Sequence, residues 1–241
     1  MRGDDARPWV AHVEPGGPAV RYATDILEIR KASVGTMDND AYLVTCRSTG
    51  AQLLVDAPTD PARLLALVAE GAPSGRLDLV VVTHRHQDHV GALAQVAAAT
   101  GARVAVGADD ADAVHEATGC PVDVRLRHGD RLTVGALDLD VVALRGHTPG
   151  SVALALTEPA DTAAAGAPSA RTHLFTGDSL FPGGVGATRG DPARFAQLLD
   201  DVTARLFDRY PDATWVHPGH GDGTTLGTER PHLADWAARG W

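Results

Sequence analysis

The stretch Leu77-Asp78-Leu79-Val80-Val81-Val82-Thr83 runs straight into His84-Arg85-His86-Gln87-Asp88-His89. Its first half is a short, mostly apolar run, the pattern of a strand buried on both faces and so of a sheet covered on both sides. Its second half places four metal-binding side chains where that strand ends. In an extended segment residues two apart face the same side, so His84 and His86 can aim both imidazoles at one cation. Asp88 and His89 come where the chain turns into the next helix, which redirects them to a second position beside the first. The competing explanation makes Asp88 a helix N-cap and the histidines ordinary loop residues.

Outward from this stretch, strands and helices alternate. Residues 41–45 and 52–55 are apolar runs split by a Ser-Thr-Gly turn, which predicts a hairpin. Residues 61–70 carry Leu64, Leu65, Leu67 and Val68 at helical spacing, with Asp60 as N-cap and Pro61 at the first helical position. Downstream, 90–99 reads as a helix stopped by Gly101, 103–106 as a strand, and 109–117 as a helix ended by Gly119 and Pro121. A hairpin over 132–144 turns at Gly135-Ala136, Val152, Leu154 and Leu156 alternate with small residues, and 173–176 is a further strand. Residues 192–206 form a helix capped by Asp191, followed by a strand at 214–216 and a short helix at 232–238. Residues 158–170 (EPADTAAAGAPSA) have nothing to bury and read as an exposed loop. No composition break divides the chain, so one domain of class α/β over 1–241 is expected.

A formal charge of −10 over 241 residues argues against a nucleic-acid partner, which would need a basic face. Nearly all the cations are arginine, with Lys31 the only lysine, a usage that reads as composition bias. Cys46 and Cys120 form no CxxC pair, which excludes a thiolate zinc finger and fits a reducing compartment. The opening MRGDDARPWVAHVEPGG holds no apolar leader, and no apolar run reaches membrane-spanning length. A soluble, cytoplasmic protein with no membrane partner is expected.

Three later segments each put a metal-binding side chain just past a strand. His147 lies in Gly146-His147-Thr148-Pro149-Gly150, Asp178 in Thr176-Gly177-Asp178-Ser179-Leu180, and His220 in Pro218-Gly219-His220-Gly221. Each alone is compatible with an ordinary turn. Together, with small Gly and Pro residues that let the backbone close round an ion, they extend the first cluster to His84, His86, Asp88, His89, His147, Asp178 and His220. That donor set is all imidazole and carboxylate, which suits Zn²⁺, Fe or Mn²⁺ and lacks the thiolates of a closed structural zinc site. His12, His115, His128, His173, His217 and His232 read as surface or packing residues, His217 being the one candidate for a supporting role.

In this order and at these separations, HRHQDH (84–89), GHTPGS (146–151), TGDSLF (176–181) and PGHG (218–221) resemble the metallo-β-lactamase superfamily. Within it they look most like the short bacterial glyoxalase-II-like (hydroxyacylglutathione hydrolase-like) branch, and the resemblance covers the chain from about Ala41 onward. It implies an αββα sandwich with the site at one edge of the paired sheets. It implies further that His84, His86 and His147 hold one divalent metal ion, zinc before iron or manganese. Asp88, His89 and His220 would hold a second, with Asp178 bridging the two. Two such cations about 3.5–4 Å apart lower the pKa of a bridging water enough to give hydroxide at neutral pH. The expected reaction is attack of that hydroxide on the carbonyl of a small-molecule acyl substrate. Asp178 and Asp88 are the catalytic candidates, Asp178 by fixing the cations and Asp88 as a proton donor where the leaving group needs one. A thiolate of pKa about 8.5 departs without a strong acid, so a thioester or activated ester is the expected substrate. Asn39 and Tyr42 fall in a segment that borders the site in relatives.

The chain departs from glutathione-specific members at one point. They carry a basic residue after the Gly-rich loop that follows the bridging Asp, whereas Gly183-Gly184-Val185-Gly186 is followed here by Ala187, with Arg189 the nearest cation. Another thiol is therefore as well supported as glutathione. The alternatives within the fold are a persulfide-dioxygenase-like oxidoreductase with a single iron, and a lactonase. A β-lactamase is disfavoured, because Asp178 stands where the common zinc β-lactamases use Cys.

Overall fold

The structure, a computed structural model, describes residues 12–72, 74–158 and 171–240. Its first half supplies β1 (Val20–Ala23), β2 (Leu27–Val34), β3 (Asn39–Cys46), β4 (Gln52–Val55), α1 (Pro61–Gly71), β5 (Leu79–Val82), α2 (Gln87–Val90), α3 (Leu93–Thr100), β6 (Arg103–Gly107), α4 (Ala111–Thr118) and β7 (Val124–Leu126). The second half supplies β8 (Arg131–Val134), β9 (Leu137–Ala143), β10 (Val152–Thr157), β11 (Thr172–Gly177), the short pair β12 (Leu180–Phe181) and β13 (Gly184–Val185), α5 (Pro192–Val202), β14 (Trp215–Pro218), β15 (Thr224–Thr225), α6 (Leu226–Glu229) and α7 (Leu233–Arg239). Among the described residues β1 to β7 form one sheet in chain order, antiparallel as far as β4 and parallel from β4 to β7. The second sheet runs β15-β14-β11-β10-β9-β8, with β11 and β14 parallel.

Side-chain alternation stacks these sheets into four layers. On β3, Ala41 and Leu43 point to one face and Tyr42 and Val44 to the other. The first pair joins Val80 and Val104 in a cluster with Leu64 and Leu67 of α1, Val96 of α3 and Val114 of α4. The second joins Leu53, Val81 and Ala105 with Leu139, Leu154 and Phe175 of the other sheet. The far face of that second sheet, with Ala153, Leu174 and Val216, packs on Leu198 and Val202 of α5 and Trp236 of α7. This is the expected αββα order. Strand β5 is buried on both faces because Val80 and Val82 meet helices while Leu79 and Val81 meet the other sheet. Full burial of each such Leu or Val stabilises the fold by about 1.5–3 kcal/mol.

The caps act as expected: Asp60 accepts from Arg63 N at 3.0 Å, and Asp191 accepts from Ala193 N and Arg194 N. The single helix expected at 90–99 is instead two, α2 and α3. The carbonyl of His89 accepts from Ala57 N (3.1 Å) and Ala92 N donates to Ala57 O (3.0 Å), so the loop after β4 engages groups a continuous helix would use. The helix expected over 192–206 is α-helical only to Val202 and continues as a π-helical turn, Thr203–Phe207. Of the loop expected at 158–170, residues 159–170 lie outside the described residues. Glu158 itself is buried, not exposed; it accepts from Tyr22 Oη at 2.9 Å and pairs with His173 Nε2 at 2.8 Å. Cys46 and Cys120 are buried and unbridged. No described helix is long and apolar enough to cross a membrane.

Charge also ties the two sheets together. Lys31 of β2 is 2% exposed and pairs with the buried Asp40 of β3 at 3.0 Å. Its ammonium donates to the carbonyl of Gly221, in the loop after β14. Tyr42 Oη donates to Pro218 O and Asp40 N to Gly219 O, both at 2.8 Å, so the edge of the first sheet grips the backbone of 218–221. Removing one partner of a buried ion pair leaves the other uncompensated, at a cost of about 3–5 kcal/mol. Lys31→Met is expected to lower the unfolding free energy by about that amount in chemical denaturation, and a loss below about 0.5 kcal/mol, typical of a surface change, would contradict the clamp.

Candidate metal centre

The loops that follow β5, β9, β11 and β14 bring all seven candidate ligands together at one edge of the two sheets. His84 Nε2 lies 3.1 Å from His86 Nδ1, which in turn lies 2.9 Å from His147 Nε2. His89 Nε2 lies 3.2 Å from His220 Nε2. Asp88 Oδ2 is 3.3 Å from His220 Nε2 and 3.7 Å from His89 Nε2. Asp178 sits between the groups: its Oδ2 is 3.6 Å from His147 Nε2 and 3.5 Å from His220 Nε2, and its Oδ1 is 3.3 Å from His89 Nε2. Three overlapping trios thus have ligand atoms within 4.8 Å of one another: His84, His86 and His147; His84, His89 and Asp178; Asp88, His89 and His220. Asp88 belongs to the first turn of α2, and His86, not Asp88, is the residue at its cap.

An imidazole offers a lone pair to a cation only when its other nitrogen carries the hydrogen. The surroundings arrange this for four of the histidines. His147 Nδ1 donates to Ala187 O, His220 Nδ1 to Met37 O and His89 Nδ1 to Asp56 Oδ2, each at 2.8 Å. His84 Nδ1 donates to Thr83 Oγ1 at 3.1 Å, and that hydroxyl donates to Asp56 Oδ2 at 2.8 Å.

Burial, helped by neighbouring imidazoles, holds His84 well below its ordinary pKa and lowers His86 and His147, so these three favour the neutral form a ligand needs. His89 goes the other way: against the effect of burial, Asp56 and Asp178 push it up to about 10. Asp178, despite its burial, is held below the usual carboxylate range by His220 and His89. The carboxylate charge that draws a proton onto His89 is charge a divalent cation would neutralise.

One oxygen of the cluster, Asp178 Oδ1, is buried without a hydrogen-bond partner, a costly arrangement unless something else binds it. Gly219 keeps the space beside it open, since a Cβ there would lie 2.3 Å from Asp178 Oδ1 and 2.7 Å from His89 Cε1. Converging lone pairs, outward-held ring hydrogens and an unpartnered carboxylate oxygen fit divalent ions.

Two supporting residues escaped the sequence reading. Asp56, closing the apolar run of β4 at φ 61°, accepts from Thr83 N at 2.7 Å as well as from His89 and Thr83 Oγ1. A carboxylate ending a buried strand is the signal that was available. Asp110, fully buried, accepts from Arg85 N (3.1 Å), Gly150 N (3.1 Å) and Thr148 Oγ1 (2.5 Å), which ties the HRHQDH loop to the GHTPGS loop. Asn39 does border the site, its Nδ2 donating to Asp88 Oδ2 at 3.0 Å. His217 stands in a buried row, 3.0 Å from His173 Nδ1 and stacked on Phe175.

Residues 34–220 match the family model described as the metallo-beta-lactamase superfamily. A hydroxyacylglutathione hydrolase of Fuscovulum blasticum is 36% identical over 184 residues, 76% of this chain, and the chain spans only 62% of that relative's length. Among solved structures, ETHE1 from Myxococcus xanthus is similar with a TM-score of 0.70 and 30% identity, over 87% of this chain and 84% of that one. TTHA1623 in a di-iron-bound form is similar with a TM-score of 0.63 and 33% identity, over 83% of this chain and 96% of that one.

Asp56→Asn removes the charge that fixes the His89 tautomer while keeping the side chain's shape. It is expected to weaken metal affinity about 10–100-fold, measured by competition with a chelating dye. Because a metal ion must displace the proton that Asp56 and Asp178 hold on His89 up to about pH 10, affinity of the unaltered protein also falls as pH drops below that value. An unchanged affinity in Asp56→Asn would contradict the role given to this residue.

Proposed function

Since this chain belongs to the metallo-β-lactamase superfamily, we propose that it is a metal-dependent hydrolase acting on a small thioester or activated ester. In this reading His84, His86 and His147 hold one divalent ion, Asp88, His89 and His220 hold a second, and Asp178 lies between them. The observation that carries it is the position of Asp178, whose two oxygens reach His147 on one side and His89 and His220 on the other. When bound, such a pair of cations lowers the pKa of a water and polarises a carbonyl. Zinc suits the donor set, and likeness to the di-iron-bound TTHA1623 supports iron as well.

The chain's own residues then have defined tasks. Asp178, closed in by imidazoles, fixes the spacing of the two positions. Asp88 keeps 27% of its side-chain surface and His220 keeps 22%, whereas His84 and His89 are closed off, so the substrate reaches the site from the Asp88 and His220 side. Asp88, steadied by Asn39, lines this opening as the exposed ligand of the second position. Exposed Met37 and the ring of Phe181, 6.4 Å from that of His220, give this side an apolar rim suited to an acyl chain. Hydrolysis adds water's oxygen to the acyl carbon and breaks the C–S bond, and the thiolate leaves without needing a strong acid.

Similarity to hydroxyacylglutathione hydrolases supports a thioester, and we leave glutathione as one thiol among others because Ala187 follows the Gly-rich loop. A single-iron oxidoreductase or a lactonase would use the same or part of the same ligand set. The test is metal analysis of the purified protein with turnover on S-lactoylglutathione, other acyl thioesters and simple lactones. Two metals per chain and thioester turnover are expected. Asp178→Asn should lower kcat by about 100-fold or more, the scale of losing a group that positions the reacting atoms. Full turnover and full metal content in Asp178→Asn would overturn the reading.

A further inference from the structure

A second feature lies on the other side of the His147 loop. A cavity of about 180 Å³ is walled by Pro149 and Gly150 of that loop together with Arg127, His128, Arg145 and Arg205. We propose that this cavity binds a phosphate group, carried by inorganic phosphate or by the phosphomonoester end of a small molecule. The inference rests on the cavity alone and stands whether or not the chain is a hydrolase.

Two of its guanidinium groups are held ready. Arg145 donates through Nε and a terminal nitrogen to Asp201 at 2.9 and 3.0 Å, and Arg205 pairs with the same carboxylate at 3.2 Å. Arg205 also donates to Ala143 O at 2.6 Å. One carboxylate neutralises only one of these two charges, and the shared anchor fixes both guanidinium groups before any ligand arrives, with Arg145 Nη1 and Arg205 Nε still without a partner among the described residues. The side chains of Arg127 and His128 have no hydrogen-bond or ion-pair partner among the described residues, although Asp130 engages the backbone N–H of Arg127 at 2.7 Å. Among the described residues Asp109 is the single carboxylate on the wall.

The local field is positive in a chain whose formal charge is −10. His128 is pushed below its ordinary pKa by burial and by Arg205, Arg145 and Arg209, with Asp201 opposing. A phosphate dianion carries about twice the charge of a carboxylate and presents oxygens in three dimensions, so it suits a wall of several cations better than a planar carboxylate does. The size also selects: pockets for drug-sized ligands run to about 300–1,000 Å³, so this one suits a phosphate with a few further atoms and not a whole nucleotide. Its occupant would touch Arg145, whose backbone N–H is itself held by Asp201 at 3.0 Å, two residues before His147.

The test is an amide-resolved NMR titration of the zinc-loaded protein, which is diamagnetic, with inorganic phosphate, glycerol 3-phosphate and acetate. Saturable shifts at residues 127, 128, 145 and 150 are expected with the phosphates. Stronger binding of glycerol 3-phosphate would identify a phosphomonoester as the natural form, and stronger binding of inorganic phosphate the free ion. Arg127→Ala, an exposed and unpartnered position, should weaken these shifts about tenfold, the loss of one charge-assisted contact. It should leave unchanged any phosphate effect confined to the metal loops. Shifts only at the metal loops, equal affinity for acetate, or no effect of Arg127→Ala would overturn the proposal.

Discussion

Ring nitrogens of His84, His86 and His147 meet at about hydrogen-bond distance, and because in His84 and His147 the other nitrogen already donates elsewhere, the single ring hydrogen of His86 is the most that is left to share among them. Lone pairs packed this way repel one another and are cut off from water, which is unfavourable unless a cation stands among them. Much of the architecture can be understood as the means of enforcing that crowding. Two sheets face each other, and the loops at one edge are short, held by backbone hydrogen bonds and anchored by buried carboxylates.

The anchors divide the work between the halves. Asp56 controls the ring hydrogens of His89 and, through Thr83, of His84. Asp110 fastens the loop of the first sheet to that of the second, and Lys31, Asp40 and Tyr42 reach across to the backbone on either side of His220. Neither half alone can form the site, since His147, Asp178 and His220 come from the second sheet and the HRHQDH cluster from the first. The anchoring groups are themselves buried and charged, so they are stable only while the sheets stay closed on each other.

Much of the fold and nearly all of the candidate site could be read in the chain beforehand, for a physical reason. Ligand residues declare themselves because their chemistry is their identity, and strand β5 and the caps Asp60 and Asp191 follow local rules. What stayed hidden depends on tertiary partners. Strand β2 is buried around Glu28, Arg30 and Lys31, whose charges are met by side chains of other segments, such as Arg21, Glu70 and Asp40, so its pattern does not look like a strand. The break between α2 and α3 is imposed by Ala57 from another loop. Glu158 reads as the start of a polar loop because its partners, Tyr22 and His173, lie elsewhere along the chain. Asp56 and Asp110 look like ordinary turn residues until the loops they hold are seen side by side.

The most direct check is anomalous diffraction from crystals of the metal-loaded protein. Two peaks about 3.5–4 Å apart are predicted, one against His84, His86 and His147, the other against Asp88, His89 and His220, with Asp178 touching both. A single peak, or a pair with Asp178 turned away, would contradict the account.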